Sequence, residues 1–290
     1  MAVALVTGGN QGLGLALVRG LCHTLGPGGT VYLGARDRAR GEEALAQLRR
    51  EGLSPRLRIV DVRSSDAVEA LADTIDSEHG RVDIVVSNAA ARRTPDLPDA
   101  DQVRQFVDTN NYGAHRMIRA FGPLLRDDAR FIVVASAFGS LHYLPAAVRG
   151  AFAEDTTSLD ELERTLDGWV RLVEAGEARR AGWPDSINEV SKVAQVAAVR
   201  SIARDCASEW HPRGTLMNAA CPGLIDTAAS RPWFADMSRA QSPDEAAVDV
   251  LWLATLPSGT RSPYGELVQH RDVIPFDADE WELKYGTSRE

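Results

Sequence analysis

The sequence predicts an α/β fold in which seven parallel strands form a doubly wound sheet with helices on both faces. Two observations predict it: short apolar runs alternate with stretches of helical period, and a glycine-rich turn directly follows the first apolar run. We expect a single domain over residues 1–290, because one such sheet accommodates this length. The predicted strands are 2–7, 30–35, 57–62, 82–88, 130–136, 214–221 and 265–270.

Amphipathic helices are predicted between these strands. After the third strand, Ser64 can cap a helix whose apolar stripe begins at Val68 and ends near Gly80. A longer helical pattern runs from Val103 to Phe121. Strands that alternate with helices in this way favour parallel pairing, since each helix carries the chain back to the starting edge of the sheet.

Residues 141–185 interrupt the alternation, and we interpret them as an insertion. They contain an acidic, helix-like piece from Ser158 to Ala178 with apolar residues on one face. We expect the insertion to cover part of the carboxyl edge of the sheet, where ligands bind in such folds. Four aromatic residues could line a pocket for a flat substrate or simply pack in the core: Trp169, Trp183, Trp233 and Phe234.

The composition argues against several classes of function. A net charge of −9 and a pI of about 5.3 disfavour a nucleic-acid partner. The chain begins without the pattern of a signal peptide and has no apolar run of membrane-spanning length, so we expect a cytoplasmic protein without a membrane partner. Neither the three cysteines nor the six histidines have metal-binding spacing, so no metal is expected.

A candidate cofactor site follows the first strand, in the segment Thr7-Gly8-Gly9-Asn10-Gln11-Gly12-Leu13-Gly14. A helical run from Leu15 to Leu25 comes next. Glycines at this turn let main-chain N–H groups and the positive end of the helix approach a pyrophosphate. The arrangement is typical of the dinucleotide site of a Rossmann-type fold.

The end of the second strand predicts which dinucleotide binds. Arg36 lies 22 positions after Gly14 (36 − 14 = 22), where dinucleotide folds carry the residue that contacts the ribose. Arginine binds a 2′-phosphate, and Arg40 could add a second contact, so the sequence predicts NADP(H). The alternative is that these arginines only solvate a helix start, and the neighbouring Asp37 argues against a phosphate.

The spacing Gly8-x-x-x-Gly12-x-Gly14 resembles that of the short-chain dehydrogenase/reductases, and further matches extend over nearly the whole chain. Asp61-Val62 corresponds to the pair that contacts adenine in that family. Ser87-Asn88-Ala89-Ala90 resembles the family's Asn-Asn-Ala-Gly segment, with Ala90 in place of the glycine. Pro222-Gly223, followed by Thr227, matches the segment that borders the nicotinamide.

Two other stretches resemble the monomeric carbonyl reductases in particular: Gly34 to Arg56, and Trp183-Pro184. Ser136 and Asn188 are 52 positions apart (188 − 136 = 52), many more than in the family's usual oligomeric members. The resemblance therefore implies a monomer in which the extra residues cover helices that otherwise form the subunit interface.

The family's catalytic residues are carried over by matching motifs. In that family a serine polarises the carbonyl oxygen, a tyrosine protonates it, a lysine lowers the pKa of the tyrosine and binds the nicotinamide ribose, and an asparagine anchors a water. Ser136 matches the serine, Lys192 the lysine and Asn110 the asparagine.

The tyrosine is missing from this constellation. It should lie four residues before Lys192, one helical turn away on the same face, but that position is Asn188. An asparagine amide can donate a hydrogen bond and orient a carbonyl, but it supplies no titrating proton near pH 7. His142, Tyr143 and Glu189 are near active-site positions in sequence and are the alternatives, ranked after Asn188.

Three functions remain open on this basis. A reductase of quinone-like or polyketide-derived aromatic substrates fits best, because hydride addition then leaves a delocalised anion that needs mainly hydrogen-bond donors such as Ser136, Asn188 and Lys192. Alternatively, the nucleotide is structural and the pocket performs a non-redox cyclisation, dehydration or isomerisation. In the third reading the chain is catalytically silent and binds NADPH as a signal.

Overall fold

A computed structural model describes residues 1–152 and 157–286 of the chain. Its centre is one eight-stranded sheet with the strand order β3-β2-β1-β4-β5-β6-β7-β8. All neighbours pair in parallel except β7 and β8, which are antiparallel. The strands are β1 (Val3–Thr7), β2 (Thr30–Ala35), β3 (Arg56–Ile59), β4 (Val82–Ser87), β5 (Leu125–Val134), β6 (Leu216–Ala220), β7 (Leu267–Gln269) and β8 (Asp272–Ile274).

The predicted fold class is confirmed, and the strand count is corrected from seven to eight. The additional strand, β8, returns from β7 through a two-residue turn at His270 and Arg271, both with positive φ. Such a turn matches the twist of a hairpin but is usually marked by Asn-Gly or Asp-Gly. Neither marker is present, and three residues are too few to show a strand period.

Two strand boundaries differ from the prediction by three residues or more. Strand β3 ends at Ile59 rather than at residue 62, because the chain turns at Asp61, whose carbonyl accepts a hydrogen bond from the Ser64 N–H. Strand β5 begins at Leu125 rather than at residue 130. Its first residues include the charged segment Arg126-Asp127-Asp128, which concealed the strand in the sequence.

The described residues form eleven α-helices: α1 (Gly12–Leu25), α2 (Arg38–Arg50), α3 (Ser65–His79), α4 (Asp99–Val107), α5 (Gly113–Phe121), α6 (Ala146–Arg149), α7 (Leu159–Glu174), α8 (Ile187–Asp205), α9 (Ala207–Trp210), α10 (Pro243–Ala254) and α11 (Ala278–Tyr285). A π-helical turn, Asp108–Tyr112, joins α4 to α5. None of the described helices is long and apolar enough to span a bilayer.

Helix α3 shows how local sequence determines an element. The Ser64 side chain accepts a hydrogen bond from the Ala67 N–H at the first turn, as predicted. Gly80 ends the helix in the left-handed conformation, with φ of 72°, which glycine adopts at little cost.

Two apolar layers hold the sheet, one on each face. Leu17 of α1 and Val250 of α10 are buried on one face. Val68 of α3, Phe106 of α4 and Val193 of α8 are buried on the other. Because helices cover both faces, ligands can approach mainly at the edges of the sheet.

The helix of the insertion, α7, lies on α4, α5 and α8. That other parts of the insertion cover the carboxyl edge stays a prediction. Arg104 of α4 pairs with Glu174 at 2.6 Å, and Glu163 of α7 accepts a hydrogen bond from Arg119 of α5 at 2.6 Å. Trp169 is buried beneath this contact with 1% of its surface exposed, so the apolar stripe of α7 packs against the helix layer.

Candidate active site

The sequence-predicted site residues follow four adjacent strands. The glycine turn comes after β1, Asn88 after β4, Ser136 after β5 and Pro222 after β6. Since these strands are parallel, their carboxyl ends meet at one edge of the sheet. The fold therefore gathers these segments at one edge of the sheet, as expected for a doubly wound sheet.

The glycine turn has a shape that other residues would obstruct. Gly8 and Gly12 have positive φ values of 63° and 51°. A Cβ atom on Gly14 would lie 2.1 Å from the carbonyl oxygen of Gly8, which no side chain tolerates. A Cβ atom on Gly12 would lie 3.6 Å from its nearest neighbour, the Thr227 Cγ2. That separation is an ordinary van der Waals contact, so Thr227 lies directly against the turn at Gly12.

The start of α1 is suited to an anion. Gln11 is its N-cap residue, but its side chain makes no capping hydrogen bond, and the first turn carries no acidic residue. The first N–H groups of this 14-residue helix therefore lack a side-chain acceptor, and the helix dipole is positive there. Leu13 is buried, so its main chain is the part that can face a ligand, whereas Asn10 is partly exposed.

Asn88 braces the turn from β4. Its Nδ2 donates hydrogen bonds to the carbonyl oxygens of Thr7, at 3.0 Å, and Gly8, at 3.3 Å. The N–H groups of Asn88 and Ala89 both donate to the Thr7 hydroxyl at 3.0 Å. These contacts hold the ends of β1 and β4 together, while Ala90 is exposed at the edge.

The predicted ribose-contacting residues lie at the end of β2. Arg36 and Arg40 are both exposed. Asp37 is the N-cap residue of α2 and accepts a hydrogen bond from the Arg40 N–H at 2.9 Å. This capping role accounts for an acid beside two arginines, because the carboxylate stabilises the helix start.

The two residues of the predicted adenine-contacting pair, Asp61 and Val62, have different surroundings. The Asp61 carboxylate accepts hydrogen bonds from the main-chain N–H, the Nε and the Nη2 of Arg63, with Nη2 at 2.7 Å from Oδ2. These bonds hold the pKa of Asp61 below its ordinary value. Val62 is buried, and a Cβ on Gly113 would meet its side chain at 2.8 Å. The Val62 side chain therefore packs on α5 instead of facing the carboxyl edge of the sheet.

Helix α8 carries Asn188 and Lys192 one turn apart, and the serine turn packs against it. The Ser136 Oγ accepts a hydrogen bond from the Phe138 N–H at 3.4 Å. A Cβ on Gly139 would lie 2.5 Å from Val196 and 3.4 Å from the carbonyl oxygen of Lys192. Glycine at this position therefore lets the segment after Ser136 approach α8 beside Lys192.

Lys192 is connected to the π-helical turn by a residue that the sequence analysis missed. Its Nζ donates to the Gln195 Oε1 at 2.8 Å, and the Gln195 Nε2 donates to the carbonyl oxygen of Asn110 at 2.8 Å. The Asn110 Oδ1 accepts from the Ala91 N–H at 2.7 Å. The available signal was a glutamine within the apolar run of α8, three residues after Lys192 and hence on the same face.

The pKa values at this site are shifted by burial. Burial lowers the pKa of Lys192 to about 8, and the nearby Cys221 opposes this shift. Burial raises the pKa of the Cys221 thiol, whereas hydrogen bonds from the N–H groups of Gly223 and Ala137 and the charge of Lys192 lower it. Cys221 therefore lies between the serine turn, Lys192 and the segment that begins at Pro222.

Among the alternative proton donors, Tyr143 has the most suitable surroundings. Its ring packs edge-on against Phe138 with centroids 5.1 Å apart. Burial raises its pKa, with smaller contributions from Cys221 and Glu189, so the phenol keeps its proton at neutral pH. His142 is buried instead against Trp281 of α11, with ring centroids 3.7 Å apart.

The four aromatic residues proposed to line a pocket separate in the structure. Trp169 is in the core and packs near Trp183, with centroids 6.1 Å apart, which is the core-packing alternative. Trp233 and Phe234 are exposed, and the Arg93 guanidinium lies 4.6 Å from the Trp233 ring centroid. Within the part of the chain that the structure describes, no three His, Cys, Asp or Glu side chains are grouped to hold a metal.

Comparison with known proteins gives consistent matches. A family model described as short chain dehydrogenase matches residues 2–151. Carbonyl reductase [NADPH] 1 of Rattus norvegicus is 32% identical over 278 residues, which are 94% of this chain and 98% of the relative. The enzyme of the same name from Homo sapiens is 33% identical over 275 residues, which are 93% of this chain and 97% of the relative.

Solved structures agree with these matches. Menthone neomenthol reductase from Mentha piperita superposes with a TM-score of 0.75 and 26% identity, over 92% of this chain and 97% of that one. Salutaridine reductase from Papaver somniferum gives a TM-score of 0.78 at 21% identity, over 93% and 100% of the two chains. The latter similarity concerns the fold alone.

Proposed function

The chain belongs to the short-chain dehydrogenase/reductase family, and from that premise we propose that it is an NADPH-dependent reductase of quinones or conjugated, polyketide-derived carbonyl compounds. The observation that carries the proposal is the pairing on α8 of a lysine with an asparagine one turn before it. The lysine suits cofactor binding, whereas the asparagine removes the proton donor that a simple ketone requires.

The proposed cofactor fits the residues present. The positive-φ glycine turn and the uncapped start of α1 suit a pyrophosphate. Arg36 and Arg40 are exposed and their neighbour Asp37 is engaged in capping α2, which favours a 2′-phosphate over a 2′-hydroxyl. The curated relatives carry NADPH in their names, which supports the same cofactor.

The proposed substrate class follows from the negative charge that hydride addition leaves on the substrate oxygen. Bound NADPH would supply a hydride to a carbonyl carbon or to a conjugated position. Addition to a simple ketone makes an alkoxide, a strong base that needs an acid, whereas addition to a quinone makes a hydroquinone anion whose charge is delocalised. Ser136 and Asn188 can donate hydrogen bonds to that oxygen, and the Lys192 charge stabilises it. Water can then deliver the proton.

Further features of the proposal concern shape and assembly. Phe138 and Tyr143 form an aromatic wall after the serine turn, which suits a flat substrate. Helix α7 covers α4 and α5, which supports a monomer. We therefore propose a monomeric enzyme whose substrate is a flat, aromatic small molecule.

Turnover under anaerobic conditions tests the proposal. The purified protein is mixed with NADPH and a fully ring-substituted quinone, which cannot alkylate Cys221, and the consumed NADPH is compared with the hydroquinone formed. We expect equal amounts, with loss of turnover in Lys192→Ala. Lys284→Ala is the matched control, because this second lysine pairs with Asp272 near the C-terminal end of the described chain. Conversion of a natural substrate without NADPH consumption would instead indicate non-redox chemistry.

A further inference from the structure

Gln195 is a buried amide in an otherwise apolar part of α8. It is 4% exposed, and its neighbours from Val193 to Val199 are buried hydrophobic residues. A buried amide costs free energy unless it forms hydrogen bonds, and a valine or leucine would pack here without that cost. The position of Gln195 is therefore explained by what its two polar atoms contact.

Those contacts have a defined direction. The carbonyl oxygen of Asn110 can only accept a hydrogen bond, so the amide nitrogen of Gln195 must face it, at 2.8 Å. The amide oxygen then faces the Nζ of Lys192, also at 2.8 Å, and accepts from it. The π-helical turn Asp108–Tyr112 presents the Asn110 carbonyl to α8, where a regular helix would direct it along its own axis.

We propose that Gln195 is a positioning residue that clamps the Lys192 ammonium group to the main chain of Asn110 and fills the space between them with a group that does not titrate near pH 7. The inference rests on the proposed function in one respect, namely that Lys192 acts on the cofactor and the substrate anion. Its geometric part depends only on the three residues of the clamp.

The clamp has a chemical consequence for Lys192. Asn188 lies four residues before the lysine and Gln195 three residues after it, so carboxamides occupy two of the positions one turn from Lys192 on α8, and Glu189 occupies a third. A carboxamide donates and accepts hydrogen bonds but does not titrate near pH 7. Lys192 thus has a fixed place, and neither of these carboxamides can exchange a proton with it.

Two lysines in the whole sequence make a direct test possible. Lys192 and Lys284 are the only lysines, so competitive acetylation of the cofactor-free protein, read by mass spectrometry, reports the neutral fraction of each amine. Lys284 is on the surface and pairs with Asp272 at 2.6 Å, so it serves as the internal reference. Cys221 is the titratable group that the structure places against Lys192, and it is unchanged in every variant.

Gln195→Met and Gln195→Glu should act in opposite directions. Methionine has a similar length but no acceptor, so the ammonium form of Lys192 loses a hydrogen bond. We expect Lys192 to be acetylated about tenfold faster relative to Lys284, the change that one pKa unit produces. Glutamate adds a negative charge beside the amine and should slow the acetylation. Gln105→Met, at an exposed position of α4, is the matched control and should have no effect.

Equal Lys192 acetylation in wild type, Gln195→Met and Gln195→Glu would overturn the clamp. The result is independent of the proposed function, because neither NADPH nor substrate is present. A fluorescence titration with NADPH then tests whether the clamp supports the proposed role of Lys192 in cofactor binding. The clamp predicts that NADPH binds more weakly to Gln195→Met than to Gln105→Met. A normal NADPH affinity in a variant with altered acetylation would retain the clamp and refute the assigned role of Lys192.

Discussion

Replacing Asn188 with tyrosine tests the link between the missing phenol and the choice of substrate. The new hydroxyl would project from α8 one turn before Lys192 and on the same face. The variant should reduce simple aliphatic ketones, which we expect the wild type to reduce negligibly. Quinone reduction should change much less, since its product anion needs no strong acid.

The structure indicates the size and the pH dependence of this gain. A positioned general acid contributes about 10²–10⁴-fold, and we expect the lower end, about 10²-fold, because Gln195 occupies the space beside Lys192. Burial lowers the pKa of Lys192 to about 8. At pH 7 its charged form therefore outnumbers the neutral form roughly tenfold and lowers the pKa of the new phenol. Above pH 8 the lysine loses its charge, so the gain should decline.

The assay is NADPH oxidation with a simple ketone, followed across pH for wild type and Asn188→Tyr at equal concentration. Asn188→Gln is the matched control, because it lengthens the side chain without adding an acid. Equal ketone reduction by wild type and Asn188→Tyr would refute the reasoning, since another residue would then donate the proton. Tyr143→Phe would be examined next, because Tyr143 is the protonated phenol near Cys221.

The other predictions concern the cofactor, the glycine turn, the insertion and assembly. Arg36→Asp should reduce or invert a preference for NADPH over NADH, measured by calorimetry, and equal affinities in the wild type would contradict the assignment of Arg36. Gly14→Ala should destabilise the fold by about 1–3 kcal/mol in urea unfolding and abolish NADPH binding, because its Cβ would overlap the Gly8 carbonyl. Although burial raises the pKa of Glu163, hydrogen bonds from His115 and Arg119 bring it down to about 2. Its contribution to stability is therefore complete above its ordinary value of about 4.5 and is lost as the pH falls towards 2, and Glu163→Gln should flatten this acid-induced loss. Light scattering at low micromolar concentration should give the mass of a monomer, and a stable tetramer would show that α7 does not cover the helix layer.

Much of the fold was predictable because it depends on local patterns. Each buried strand of the parallel sheet is a short apolar run, and helix α3 carries its own start and stop signals at Ser64 and Gly80. The errors occurred where local signals are weak or misleading. Strand β8 is too short to show a period, and the charged start of β5 resembles a loop.

The insertion shows a different limit. Its helix was predictable from an apolar stripe that includes Leu162 and Trp169, but this pattern does not indicate which surface the helix packs against. Contacts with α4, α5 and α8 decide that, and they place α7 on the helix layer. The same contacts removed Trp169 from the candidate pocket.

By itself, the sequence determined the glycine turn, the arginine at the end of β2, and an asparagine four residues before Lys192, since each is a matter of residue type at a fixed spacing. Only the tertiary structure decided that Asp37 caps a helix, that the Val62 side chain faces the core, and that Gln195 joins Lys192 to Asn110. The physical reason is that a hydrogen bond between α8 and the π-helical turn joins residues 85 positions apart. Such a contact exists only after the sheet has brought the two helices together.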